Sequence, residues 1–313
     1  MTSEDSTAAA PTHIPVMLAE CIEALAIRSD GTYLDGTFGR GGHARELLSR
    51  LGATGRLLLM DRDPTAVAAA RAEFGADPRV AIRHGSFADL ADWSATLDGL
   101  DGVLLDIGVS SPQLDEGARG FSFQSDAPLD MRMDPTQGDS AAQFLASASE
   151  ARITEVLWQF GEERHARRIA RAIVERRRET PIERTGELAD LIAQTIGRRE
   201  PGKHPATRSF QALRIAVNDE LHALEIGLQG ALARLRPGGR LVVLSFHSLE
   251  DRIVKRFIRA ESTQPATRRG LPPPPATTLR LTPIGAARSP SPQEIIRNPR
   301  SRSAVLRVAE RLP

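Results

Sequence analysis

Residues 32–43 read TYLDGTFGRGGH, a short apolar run that ends in an acid and passes into a glycine-rich turn. We predict a buried strand at 32–35 and a helix that starts at His43, with the turn between them. Glycines let a backbone approach a ligand closely, and a helix N-terminus offers unpaired N–H groups. This stretch therefore predicts a ligand site at the carboxyl end of the strand.

A second apolar run, 56–61, also ends in an acid, Asp61. A carboxylate at this place can bind both ribose hydroxyls of an adenosine-containing cofactor. The glycine spacing (Gly36, Gly39, Gly41) differs from the G-x-G-x-x-G fingerprint of dinucleotide-binding proteins. S-adenosylmethionine (SAM) has no pyrophosphate and tolerates a looser glycine pattern. The acid and the turn therefore favour SAM, while a nicotinamide dinucleotide or a turn without ligand stays an alternative.

Apolar runs alternate with helical segments over much of the chain. The predicted strands are 32–35, 56–61, 80–84, 101–107, 240–246 and 303–308, and the predicted helices between them include 43–51, 65–74 and 249–259. Short apolar runs that alternate with helices indicate a parallel sheet covered on both faces. The last strand alternates enough to lie antiparallel at or near an edge. The fold class is therefore α/β.

One connection between predicted strands is far longer than an ordinary β-helix-β crossover. A β-helix-β unit takes about 30 residues, yet about 130 separate the fourth predicted strand from the fifth. We predict an inserted all-helical domain at 121–215, which contains helices at 163–178 and 185–196, the latter capped by Thr185. A single amphipathic helix from Val217 to Leu235 then returns to the sheet. The sheet domain would be discontinuous, 13–120 and 216–313, after a flexible leader at 1–12.

Composition limits the class of protein. The 313 residues include one cysteine, Cys21, which excludes an internal disulfide framework and a cysteine-based zinc site. We predict no metal site. No apolar stretch is long enough for a membrane span, and residues 1–12 do not read as a signal peptide. A cytoplasmic protein without membrane contact is expected.

The net charge of +1 hides an uneven distribution. The segment from Arg259 to the last residue contains ten arginines and three glutamates, a net charge of +7, so the preceding residues carry a net charge of −6. A further arginine cluster, which includes Arg164, Arg167 and Arg168, lies in the predicted insert. A solvated helix face is the simpler explanation for any one of these arginines. Together they suggest that the insert and the C-terminal segment flank an RNA entry to the cofactor site.

The residues after the fourth strand, 106–113, read DIGVSSPQ. Amino-group methyltransferases of DNA and RNA carry Asp/Asn/Ser-Pro-Pro-aromatic here, because acceptors on the two N–H bonds make a conjugated amine reactive. Asp106, Ser111 and Pro112 could position the amine, although an ordinary Ser-Pro turn is an equal alternative. Methylation at cytosine C5 would need a cysteine nucleophile, and Cys21 looks like a packing residue. The sequence thus favours transfer to nitrogen.

The chain as a whole resembles one family over about 13–311. The shared motifs are HIPV at 13–16, DGTFGRGGH at 35–43, DRDP at 61–64, LDIGVSSPQ at 105–113, RGFSF at 119–123, PLDMRMD at 128–134, GEER at 161–164, HPATRSFQ at 204–211, SFHSLEDR at 245–252 and NPRSRS at 298–303. This is similar to the bacterial ribosomal RNA small subunit methyltransferase H family. Its members methylate N4 of cytidine 1402 in 16S rRNA with SAM.

The resemblance implies a set of site residues and a fold. The SAM domain carries an inserted helical domain, and the partner is 16S rRNA or the small ribosomal subunit, with a monomer or a homodimer both open. A DNA amino-methyltransferase and a non-catalytic RNA-binding assembly factor remain alternatives. The implied cofactor contacts are Gly41, Gly42 and His43 at the methionine end, Asp61 at the ribose, Phe87 at the adenine, and Asp106 and Gln113 beside the methyl donor.

Overall fold

The computed structural model describes residues 15–197, 204–264 and 278–313. The predicted leader, 1–12, and the proline run at 272–275 lie outside these ranges. Within them, no helix is both long and apolar enough to cross a membrane.

A seven-stranded sheet forms the centre of the molecule, in the order β3-β2-β1-β4-β5-β7-β6. Strands β1 to β5 run parallel, whereas β7 is antiparallel to both of its neighbours, β5 and β6. The strands are β1 Thr32–Asp35, β2 Arg56–Asp61, β3 Val80–His84, β4 Leu100–Asp106, β5 Leu235–Ser245, β6 Leu281–Pro283 and β7 Val305–Arg311. The α/β class is confirmed.

Helices cover both faces of the sheet, as continuous apolar strands require. Leu57 and Leu59 of β2 enter one core, and Leu58 and Met60 enter the other, all at most 1% exposed. The helices are α1 Leu18–Ala24, α2 Gly42–Arg50, α3 Pro64–Phe74, α4 Ser111–Asp115, α5 Ala141–Ser147, α6 Glu150–Gly161, α7 Ala166–Glu179, α8 Thr185–Ile196, α9 Thr207–Asn218, α10 Glu220–Arg234, α11 Ser248–Ser262 and α12 Pro292–Arg297.

Four predictions about elements were wrong. Strand β5 begins at Leu235 rather than at 240, and β6 forms at 281–283, where no strand was predicted. The helix predicted from Val217 to Leu235 is interrupted at Asp219, whose φ of 48° ends α9 and starts α10. Arg184, not Thr185, is the N-cap of α8, because Thr185 is buried and its hydroxyl accepts the Ala127 N–H at 3.0 Å.

The helices α5 to α9 share a hydrophobic core of their own, whose buried members extend from Phe121 to Leu213. Asn218, at the break between α9 and α10, connects α9 to the segment that contains Met131 and Met133. Its Oδ1 accepts the Met133 N–H and its Nδ2 donates to the Met131 carbonyl, both at 2.7 Å. A separate core is what a nested domain needs, and the limits 121–215 stay our proposal for it.

Candidate functional site

A cavity of about 330 Å³ opens at the carboxyl ends of the parallel strands, within the roughly 300–1,000 Å³ typical of ligand sites. Residues at or next to the ends of several strands line it. The wall residues that matter below are Gly36–Arg40 after β1, Asp61 and Arg62 after β2, Phe87 after β3, Asp106–Ser110 and Gln113 after β4, Arg214 and Glu220 at the α9–α10 junction, Phe246 after β5, and Asn298, Arg300 and Ser303 before β7.

The glycine-rich turn has steric reasons for two of its glycines. Gly41 has a φ of +73°, and a Cβ on it would lie 2.7 Å from the Phe38 ring. A Cβ on Gly42 would lie 2.1 Å from Cγ of Pro15. Gly42 lines the cavity together with His43, whereas Gly41 does not and instead shapes the turn.

Asp61 braces this turn from the end of β2. Its two carboxylate oxygens accept the N–H groups of Gly39 and Asp63, each at 2.8 Å. Burial raises the pKa of Asp61 to about 6 despite these bonds. Each oxygen retains a second lone pair, so Asp61 can still accept from a hydroxyl in the cavity.

Asp106 is the most strongly perturbed acid of the cavity wall. Burial, followed by the negative charges of Asp35 and Glu250, raises its pKa to about 8. Among the described residues its Oδ1 has no hydrogen-bond partner, and its Oδ2 lies 3.7 Å from Nδ1 of His43. His43 is 6% exposed, with Nε2 3.2 Å from the Val16 carbonyl oxygen. A raised pKa in a cleft is typical of a functional acid.

Gln113 lines the cavity, but its amide atoms are engaged inside the protein. Its Oε1 accepts the Ser110 N–H at 3.0 Å, and its Nε2 donates to Asp63 Oδ2 at 2.9 Å. Arg119 donates to the same Asp63 oxygen at 2.9 Å. Gln113 thereby ties the start of α4 to the residues after β2, and its carboxamide forms a fixed wall.

Ser111 and Pro112 were the two other residues predicted to accept hydrogen bonds from the amine. The side chain of Ser111 lies outside the described part of the chain, although its backbone begins α4. Pro112 does not line the cavity, and its carbonyl accepts the Glu116 N–H at 2.8 Å. Their role in positioning an amine therefore stays a prediction.

Phe87 packs against Gly227 and Gly36, two positions at which a larger residue would collide with it. A Cβ on Gly227 of α10 would lie 2.5 Å from its ring, and one on Gly36 would lie 3.2 Å from its Cβ. The ring is partly buried and faces the cavity beside the ends of β2 and β3. Such a ring can stack on or border a base.

A buried charge network supports the wall after β5. Glu250 Oε2 accepts the N–H groups of Phe246 and His247 at 2.7 and 3.2 Å, and its Oε1 lies 2.9 Å from His247 Nε2. Burial alone would raise the pKa of Glu250, but the bond and charge of His247 hold it below its ordinary value. Glu220 is bound by Arg214 through two 2.8 Å bonds. The network fixes the Phe246 backbone at the cavity rim.

Sequence reasoning thus identified the turn, Asp61 and Asp106, and the family resemblance added His43, Phe87 and Gln113. It singled out none of Arg214, Glu220, Asn298 and Arg300, which also line the cavity, although Arg300 belongs to the basic C-terminal segment expected beside the RNA entry. The NPRSRS motif at 298–303 was a signal for the last two, and the charge of its segment pointed to the site entrance, but not to these particular side chains.

Comparison with known proteins gives three findings. The profile of the MraW methylase family matches residues 10–312. "Ribosomal RNA small subunit methyltransferase H" of Xylella fastidiosa (strain M12) is 59% identical over 306 residues, with 96% of this chain and 97% of that protein covered. The protein of the same name from Stenotrophomonas maltophilia (strain K279a) is 56% identical over 299 residues, with 96% and 93% covered.

The chain also has a distant likeness to a solved structure. A putative rRNA-methylase from Clostridium thermocellum has a TM-score of 0.47 at 11% identity, with 96% of this chain and 100% of that chain covered.

Proposed function

The chain belongs to the MraW methylase family, and from that membership we propose that it methylates N4 of a cytidine in small-subunit ribosomal RNA, cytidine 1402 of 16S rRNA. The predicted family, the methyltransferase class and the cofactor, SAM, are confirmed. The site on the RNA comes from the resemblance and is the finer part of the proposal. The observation that carries the proposal is the cavity lined by Asp61, at the end of β2, and Asp106, at the end of β4, with β1 and its glycine-rich turn between them.

The wall residues fit SAM by their chemistry. When bound, SAM supplies an electrophilic methyl group on a positively charged sulfur. Asp106 offers a buried oxygen without a hydrogen-bond partner on the described chain, which suits a cationic group. Asp61 would accept from the ribose hydroxyls, Phe87 would border the adenine, and Gln113 would close the site beside Asp106. Gly41, Gly42 and His43 would define the methionine end.

Transfer to nitrogen is supported by the state of the only cysteine. Cys21 lies in α1 at 0% exposure, and burial raises the pKa of its thiol well above the ordinary value. A neutral, buried thiol is a poor nucleophile, so an attack on cytosine C6 by this chain is disfavoured. An exocyclic amine needs acceptors rather than a nucleophile.

Asp106 is the best-supported acceptor for that amine. It lines the cavity, whereas Pro112 does not, and a carboxylate accepts an N–H bond more strongly than a neutral carbonyl does. Because its pKa is raised to about 8, Asp106 can also retain the proton that the methylated amine releases near neutral pH. Ser111 remains a second acceptor in the proposal.

The RNA would approach over two basic surfaces. Arg164, Arg167 and Arg178 are exposed on or beside α7, and the +7 segment that starts at Arg259 supplies Arg300 at the cavity rim. Arginine forks match phosphate oxygens in shape and charge. We propose that the helical insert and the C-terminal segment hold the RNA on either side of the cavity.

The test is a methyl-transfer assay with labelled SAM on small subunits that lack the modification, followed by mass mapping of the product nucleotide. The expected product is N4-methylcytidine at position 1402. A methyl group on carbon or ribose, or transfer to DNA instead, would contradict the proposed substrate. SAM binding without transfer to any of these would favour the non-catalytic assembly factor.

A further inference from the structure

Two consecutive acids at the end of α4 bind two arginines of the cavity wall. Arg300 donates through both terminal nitrogens to the Asp115 carboxylate, with 3.2 Å between Nη1 and Oδ2. Arg40 Nη2 lies 3.9 Å from Glu116 Oε1. The four side chains are between 48% and 58% exposed. Both ion pairs are therefore open to solvent.

The two arginines reach the acids from different parts of the fold. Arg40 belongs to the glycine-rich turn after β1, and Arg300 lies in the short 3₁₀ helix Pro299–Ser303 before β7. Consecutive Cα atoms are about 3.8 Å apart, so Asp115 and Glu116 bring the two guanidinium groups to one stretch of the cavity rim.

Exposed ion pairs contribute only about 0–1 kcal/mol, and a phosphate presents to arginine the same fork of oxygens as a carboxylate. Resting on the proposed function, we propose that Arg40 and Arg300 bind the phosphates that flank the target nucleotide of the RNA. Asp115 and Glu116 occupy this phosphate site until the RNA displaces them.

The place of the phosphate site suits a base that enters the cavity. Asn298 and Ser303 lie beside Arg300 in the same wall, and Phe246 follows β5, next to β7. Phe87, which would border the adenine, lies beyond β2 on the other side of the sheet order. A phosphate held at Arg300 thus puts its nucleotide on the side of the cavity that SAM leaves open.

The test uses two variants that break the same ion pair. D115N frees Arg300 for phosphate, so we expect tighter binding to small subunits that lack the modification. R300A removes the phosphate ligand, so binding weakens and becomes less salt-dependent. One lost contact to single-stranded RNA makes the slope of log K against log salt less steep by about 0.7. The ratio of the wild-type binding constant to that of R300A should therefore fall about 2.6-fold between about 50 and 200 mM salt.

R50A is the matched control, since Arg50 forms a comparably exposed pair with Glu46 outside the cavity. It should leave both RNA binding and SAM affinity unchanged. If D115N and R300A weaken RNA binding alike, the pair only holds α4 in place and the inference is wrong. An R300A slope equal to that of the wild type would also overturn it.

Methylation by the wild-type protein, measured beside the binding of the variants, distinguishes a failure of this inference from a failure of the proposed function. Methylation of small subunits by the wild type, with no opposite effects of D115N and R300A, would overturn the phosphate site alone. Opposite effects on binding without any methyl transfer would overturn the function and support the phosphate site.

Discussion

Replacement of Asp106 by asparagine should remove most of the pH dependence of SAM binding. The positive charge of SAM favours the ionised carboxylate, so affinity should rise as the pH rises. With a pKa of about 8 for Asp106, the ionised fraction is about one half at pH 8 and about 1% at pH 6. The contribution of Asp106 should therefore raise the dissociation constant about 50-fold as the pH falls from 8 to 6.

Of the cavity-lining acids with a raised pKa, the D106N variant keeps Asp61. Burial raises the pKa of Asp61 to about 6, which accounts for about a factor of two between pH 8 and pH 6. D35N offers a graded comparison, because removal of the Asp35 charge lowers the pKa of Asp106. Its binding curve should keep its shape and shift to lower pH.

Isothermal titration calorimetry at several pH values, in buffers with different ionisation enthalpies, measures both the affinity and the proton released. At pH 7 the wild type should release close to one proton per SAM, whereas D106N should release almost none. A flat wild-type affinity, or a full pH slope in D106N, would refute the assignment of the titrating group.

Three further variants test the fold and the RNA surface. G120A should lower the free energy of unfolding by at least about 2 kcal/mol, because Gly120 has a φ of +73° and its Cβ would lie 2.4 Å from the Pro128 carbonyl oxygen; urea unfolding with a wild-type midpoint would contradict this. N218A should cost about 1–3 kcal/mol because the Met133 N–H loses its acceptor, and an unchanged free energy of unfolding would show that water replaces the amide. R167E should weaken binding to small subunits and lower the salt slope by about one or more, while equal slopes would remove Arg167 from the RNA surface.

The parallel sheet could be predicted because its strands carry their own signal. Runs such as 56–61 are apolar on both faces, and β2 and β3 begin and end at the predicted residues. Asp61 and Asp106 could be found for the same reason, since each ends a strand on the edge where ligands bind. The site was predictable where a local pattern coincided with a strand end.

Other parts depend on contacts that no local pattern encodes. The break at Asp219 interrupts a continuous apolar stripe because Asn218 turns its amide toward Met131 and Met133, far away in the sequence. Gln113 looks like a polar helix residue, yet it is 4% exposed because Asp63 accepts from it. Arg300 reaches the cavity only through the return of the chain before β7.

The position of β7 has a consequence for the order of events during synthesis. This strand lies between β5 and β6, and the turn that precedes it supplies Asn298, Arg300 and Ser303 to the cavity. A nascent chain therefore cannot close the sheet or complete the cavity until residues up to 311 have left the ribosomal tunnel. Until then the exposed edge of β5, with Val242 and Leu244 facing one core, needs shielding from other strands.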